Sequence, residues 1–126
     1  MNRRSFLAAS SAGALAADAA RSPIQLHIEL EVEAGKEAEL EANFRKHFRP
    51  AIRKQPGFLD VKLIKLRKVL TDKMDGKWSY KLVLTFDTEE HRQAWAKTPE
   101  HEQAWPTIAR TLAGRKARVI LYDVIP

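Results

Sequence analysis

The stretch Thr85-Phe86-Asp87-Thr88-Glu89-Glu90-His91-Arg92-Gln93-Ala94-Trp95-Ala96-Lys97-Thr98-Pro99-Glu100-His101-Glu102-Gln103-Ala104-Trp105 decides the fold, because an alternating apolar run ends in it and two short helices begin. Asp87, with Glu90 three residues on, reads as a helix N-cap, since a side-chain oxygen there can accept from the unpaired backbone N–H groups of a first turn. Thr98 followed by Pro99 reads as a second cap, with proline at the first helical position where its missing N–H costs nothing. Counting from Pro99 at the helical period puts His101, Trp105, Ile108 and Leu112 on one face, and that face points inward.

Upstream, Trp78, Tyr80, Leu82, Leu84 and Phe86 alternate with Ser79, Lys81, Val83 and Thr85, which predicts a strand with one buried face. Ile24, Leu26, Ile28, Leu30 and Val32 alternate with Gln25, His27, Glu29 and Glu31 in the same way, and Ala34-Gly35 stops that first strand. From Lys36 the stripe Leu40, Phe44, Phe48, Ala51 and Ile52 predicts a helix. Pro50 removes a backbone bond and crowds the Lys46 carbonyl, so a kink or a tightened last turn is expected before Pro56-Gly57 ends the element. Between Phe58 and Leu70, Leu59, Val61 and Leu63 lie on one phase and Ile64 and Leu66 on the other. This second strand is therefore covered on both faces or bulged near Leu63-Ile64. Residues 71–77 read as a hairpin loop turning at Asp75-Gly76, Gly114 as a helix C-cap, and Arg115 to Ile125 as the fourth strand. The order is βαββαβ. It predicts an α+β, ferredoxin-like domain: a four-stranded antiparallel sheet with both helices on one face and the first and third strands at the centre.

The 126 residues make one domain that needs no staples, and they include no cysteine, which removes thiol chemistry, Cys-based zinc sites and disulfides. The net charge of +6 comes from 22 basic residues interspersed with 16 acidic ones. No basic block is interleaved with aromatics, so the pattern argues against nucleic-acid binding. Residues 1–19 read as an export signal, with Arg3-Arg4 ahead of Phe6-Leu7, a run of small apolar residues, and Ala17-Asp18-Ala19 as a cleavage site. Asn2-Arg3-Arg4-Ser5-Phe6-Leu7 resembles the twin-arginine signal, with Ala8 where a polar residue is usual. The expectation is a periplasmic domain of residues 20–126, with no stable membrane insertion, because the apolar run is too short to span a bilayer.

Gly35-Lys36 after the first strand, Pro56-Gly57-Phe58 before the second, Thr85-Phe86-Asp87 with Trp95 in the next helix, and Thr98-Pro99-Glu100-His101 come in an order that resembles the antibiotic biosynthesis monooxygenase family. The resemblance runs over about residues 24 to 125. It implies a dimeric α/β barrel, in which two sheets pack face to face and each subunit holds an aromatic or otherwise apolar molecule between helices and sheet. Relatives of this kind include cofactor-independent quinol oxygenases and haem-degrading enzymes. Their haem-ligating histidine would fall at Trp105, and Ile24 to Val32 holds no asparagine where theirs does, so the resemblance does not extend to haem degradation.

The expected activity is thus monooxygenation of a quinol- or phenol-like molecule with no bound cofactor and no metal. His101 would be the general base, since an imidazole of ordinary pKa suits deprotonation of such a group near neutral pH. Trp95 and Trp105 would wall the pocket, and Ile28, Phe44 and Tyr80 would line it. The alternative is a non-catalytic binding or stress protein that holds a small apolar ligand in the same pocket. His27, Glu29 and Glu31 share a strand face, but Lys62 and Lys81 offer them ion pairs, and His47 and His91 read as solvent-facing. Two helices cover only one face of the sheet. A homodimer is expected through the other, which carries Gln25, His27, Glu29, Glu31, Lys62 and Lys81, with Val83 and some of Leu59, Val61 and Leu63 as its apolar part.

Overall fold

The computed structural model describes residues 22–126, so the export signal read at residues 1–19 lies outside the described residues. The elements are β1 (Ile24–Val32), α1 (Glu37–Asn43), a π-helical segment (Phe44–Phe48), α2 (Arg49–Arg53), β2 (Phe58–Lys65), β3 (Tyr80–Phe86), α3 (Glu89–Ala96), α4 (Pro99–Ala109) and β4 (Leu112–Asp123). The sheet has the order β2-β3-β1-β4 with every neighbouring pair antiparallel, so β1 and β3 are central. This is the ferredoxin-like α+β arrangement that the alternation predicts.

The core lies between one sheet face and the helical layer. Leu30, Leu82 and Leu84 from the sheet meet Leu40, Phe48, Ile52 and Ile108 from the helices, all essentially without solvent exposure. The opposite face carries three rows: Asp60, Thr85, Gln25 and Tyr122, then Lys62, Val83, His27 and Ile120, then Ile64, Lys81, Glu29 and Arg118. Val61 and Leu63 instead pair with Leu84 and Leu82 on the helix side. The apolar members of the open face are thus Val83, Ile64 and Ile120 rather than Val61 or Leu63.

The local structure departs from expectation at six places. The α3 cap is Thr88, whose Oγ accepts from the His91 N–H at 3.1 Å, while Asp87 Oδ1 is taken by His91 Nδ1 at 2.7 Å. Pro50 is answered by a widened turn and not a tightened one: the Arg49 N–H reaches back five residues to the Phe44 carbonyl, and α2 restarts with Pro50 in its first turn, where no N–H is required. The β2 bulge falls between Phe58 and Asp60, and the strand ends at Lys65, well short of Leu70. Trp78 lies outside β3 and stacks beneath the Arg118 guanidinium, 5.4 Å from it. Gly114 is not a helix cap, because α4 has already ended. Gly114 and Arg115 take φ of +59° and +55° inside β4, beside the register shift between Leu30 and Val32. Leu112, placed on the helical stripe by counting, opens β4 instead and is still buried.

Candidate active site

The helical layer holds a continuous aromatic row built from three elements. Phe44 stacks on Phe48 with ring centroids 6.3 Å apart, Phe48 meets the indole of Trp95 edge-on at 5.8 Å, and Trp95 meets His101 edge-on at 5.0 Å. His101 then stacks almost parallel on Trp105 at 6.4 Å. The cap at Thr98 sets this end of the row: its Oγ accepts from the His101 N–H at 3.1 Å and donates to the Trp95 carbonyl at 2.8 Å, which fixes α3 and α4 relative to each other. Trp95 is buried, and His101 and Trp105 are partly buried.

Burial holds the His101 imidazole below its ordinary pKa, against a smaller opposing pull from Glu102. It is therefore neutral at neutral pH. Its ring nitrogens make no hydrogen bond with any described residue. A neutral imidazole beside the partly exposed Trp105 can accept a proton from an acidic hydroxyl whose ring packs on that indole.

Of the remaining residues expected to line one pocket, Phe44 stands at the far end of this row, while Ile28 and Tyr80 lie outside it. Ile28 is buried in the sheet core. Phe44 and Tyr80 border a separate cleft of about 370 Å³ between the π-helical segment and the β2–β3 edge. The Tyr80 hydroxyl donates to Glu41 at 2.7 Å, and burial together with that carboxylate pushes its pKa up to about 12, so it remains a protonated donor. The spacing of Phe44 and Tyr80 on an apolar stripe could not distinguish a shared pocket from a neighbouring one. The cations around the second cleft, Arg45 and Arg49 on the helical layer and Lys65 at the end of β2, escape sequence reasoning because scattered basic residues read as an ordinary solvated face.

On the open sheet face, Glu29 is buried, and it accepts from Arg118 Nε at 2.5 Å and faces Lys81 Nζ at 3.8 Å. His27 bonds Gln25 through Nε2 at 2.7 Å and packs against the Tyr122 ring, so these side chains serve one another. His47 is exposed, and His91 is partly buried and bound to Asp87. Trp105, where the resemblance would put a haem-ligating histidine, offers only a donor N–H and no lone pair for iron.

The comparisons with known proteins agree with this architecture. No curated protein matches the chain. Among solved structures, SnoaB, a cofactor-independent oxygenase from Streptomyces nogalater, is 18% identical with a TM-score of 0.65 over 83% of this chain and 95% of that one. A dimeric ferredoxin-like protein from Thermobifida fusca is 14% identical with a TM-score of 0.64 over 82% and 92%. A haem-degrading protein from Mycobacterium tuberculosis is 28% identical with a TM-score of 0.57 over 83% and 93%. The sequence profile of the antibiotic biosynthesis monooxygenase family matches residues 23–106, from the start of β1 into α4, and the chain therefore belongs to that family.

Proposed function

We propose that the domain is a monooxygenase that oxidises a quinol- or phenol-like aromatic molecule with dioxygen, without a bound cofactor, and that His101 is its general base. The observation that carries this reading is the state of His101: neutral, partly buried, flanked by Trp95 and Trp105, with ring nitrogens that bond no described residue. Membership of the family supports the reaction class.

The chemistry balances without an external reductant. His101 takes the hydroxyl proton of the phenol, and the anion carries electron density onto the ring carbon para to its oxygen. That carbon is oxidised by dioxygen: its C–H bond is lost, one oxygen atom stays as the new quinone carbonyl, and the other leaves as water with two protons from the substrate. The protein's part is to hold the ring against Trp105, exclude water and remove the first proton.

We propose in addition that the mature domain is exported through the signal at residues 1–19 and works as a homodimer joined by the open sheet face. Val83, Ile64 and Ile120 would supply its apolar part, and Glu29, Lys81 and Arg118 its complementary charges. Sedimentation equilibrium at micromolar concentration would give a dimer mass, and a monomer would refute the assembly.

The test of the activity is oxygen uptake with a panel of quinols and phenols, in wild type and in His101→Asn. The substitution keeps the shape but removes the base, so turnover is expected to fall at least ~100-fold. No uptake with any of the panel, or equal turnover by the variant, would refute the role given to His101.

A further inference from the structure

The cleft bordered by Phe44 and Tyr80 has a charge pattern that the oxygenase reading does not use. Arg45, Arg49 and Lys65 surround it, and none of the three forms an ion pair with a described residue. The one carboxylate in the cleft, Glu41, already accepts the Tyr80 hydroxyl.

The two better-placed cations rest on aromatic faces. The Arg49 guanidinium lies 5.5 Å from the centre of the Phe44 ring, and Lys65 Nζ lies 5.7 Å from that of Tyr80. The Arg49 contact depends on the π-helical turn. In an α-helix, residues five apart point about 140° away from each other. The extra residue in the widened turn brings Arg49 back over Phe44, and turns of this kind recur at functional sites. Leu63 adds an aliphatic wall. The cleft thus offers an apolar floor and three donors at its rim, at the small end of the sizes typical of ligand sites. Phe48 and Trp95 separate it from His101.

We infer that this cleft binds a small aromatic carboxylate, with the ring against Phe44, Leu63 and Tyr80 and the carboxylate bridged by Arg49 and Lys65. The guanidinium supplies a planar fork that matches a carboxylate. The inference stands apart from oxygenation, because binding is read without turnover. Titration of the full chain with benzoate and 4-hydroxybenzoate, followed by backbone amide NMR, should move the resonances of residues 44–49, 63–65 and 80. Benzamide, which keeps the ring, and acetate, which keeps the charge, should each bind at least tenfold more weakly. Arg49→Gln and Lys65→Gln, both at partly or fully exposed positions, should each weaken benzoate by at least about tenfold while the remaining spectrum is unchanged. Equal binding of acetate would reduce the cleft to an anion site, and equal binding of benzamide would remove the charge argument. Shifts centred on residues 98–105, or variants that bind like wild type, would overturn the assignment.

Discussion

Gly57→Ala tests the local account most sharply, because three features converge on one hydrogen atom. Gly57 has φ +79°, which L side chains adopt at a cost, and its carbonyl accepts from the Asp87 N–H at 2.8 Å, joining the start of β2 to the end of β3. A methyl built there would lie 2.6 Å from His91 Cγ and overlap the ring nitrogen and Asp87 Oδ1 as well. The backbone strain alone is worth roughly 1–2 kcal/mol. The overlapped atoms are side-chain ends that can swing away, so the second cost is the Asp87–His91 contact. Those side chains are 35% and 43% exposed, which makes that pair worth only about 0–1 kcal/mol. The total is about 2 kcal/mol, and each kcal/mol moves Tm by roughly 4–8 °C in a domain of this size. Urea unfolding of Gly57→Ala, His91→Ala and the double variant would separate the terms. The double variant should recover only the smaller, steric share. Loss below about 0.5 kcal/mol in the single Gly57→Ala variant, within the range of an ordinary surface change, would refute the strain argument.

Three further outcomes follow from the site. Trp95→Ala should cost ~3–5 kcal/mol in urea unfolding, since the indole is buried between Phe48 and His101, whereas Trp95→Phe should cost clearly less; equal losses would mean that volume is not what matters there. His101 is held below its ordinary pKa when folded, so below ~6.5 the unfolded chain binds a proton that the folded chain resists, and stability should be full above that pH and fall beneath it. His101→Gln should flatten part of this slope in thermal melts between pH 7.5 and 5, and an unchanged slope would contradict its burial. Thr98→Ala should cost about 1 kcal/mol by unpairing the His101 N–H, with a loss of the Trp95–His101 contact visible in near-UV circular dichroism.

The sheet was legible because a single covered face forces strict alternation, as in Ile24 to Leu30 and Tyr80 to Phe86. The Thr98-Pro99 cap was legible for a similar reason: few residue pairs serve a first helical turn so well. Pro50 announced an irregularity without its sign, since the same missing N–H permits a tightened or a widened turn. Gly114 announced a positive φ but not whether a helix or a strand would use it. At the site, spacing placed His101 and Trp105 on one face, yet Trp95 reaches His101 from another helix, a contact no periodicity encodes. The division of the expected lining residues between two places is likewise a three-dimensional fact, decided by Phe48 and Trp95 standing between them.

The central claim, oxygenation by a chain that uses its substrate as the only reductant, is tested most directly with ¹⁸O₂. Purified wild-type protein, a phenol accepted in the uptake panel and labelled dioxygen should give a quinone that carries one labelled atom, with about one dioxygen consumed per product and no added reductant. The rate should depend on a single group ionising below pH 6.5, and this dependence should vanish with the rate in His101→Asn. Product without label, formation of hydrogen peroxide in place of labelled product, or a requirement for an external electron donor would contradict the account.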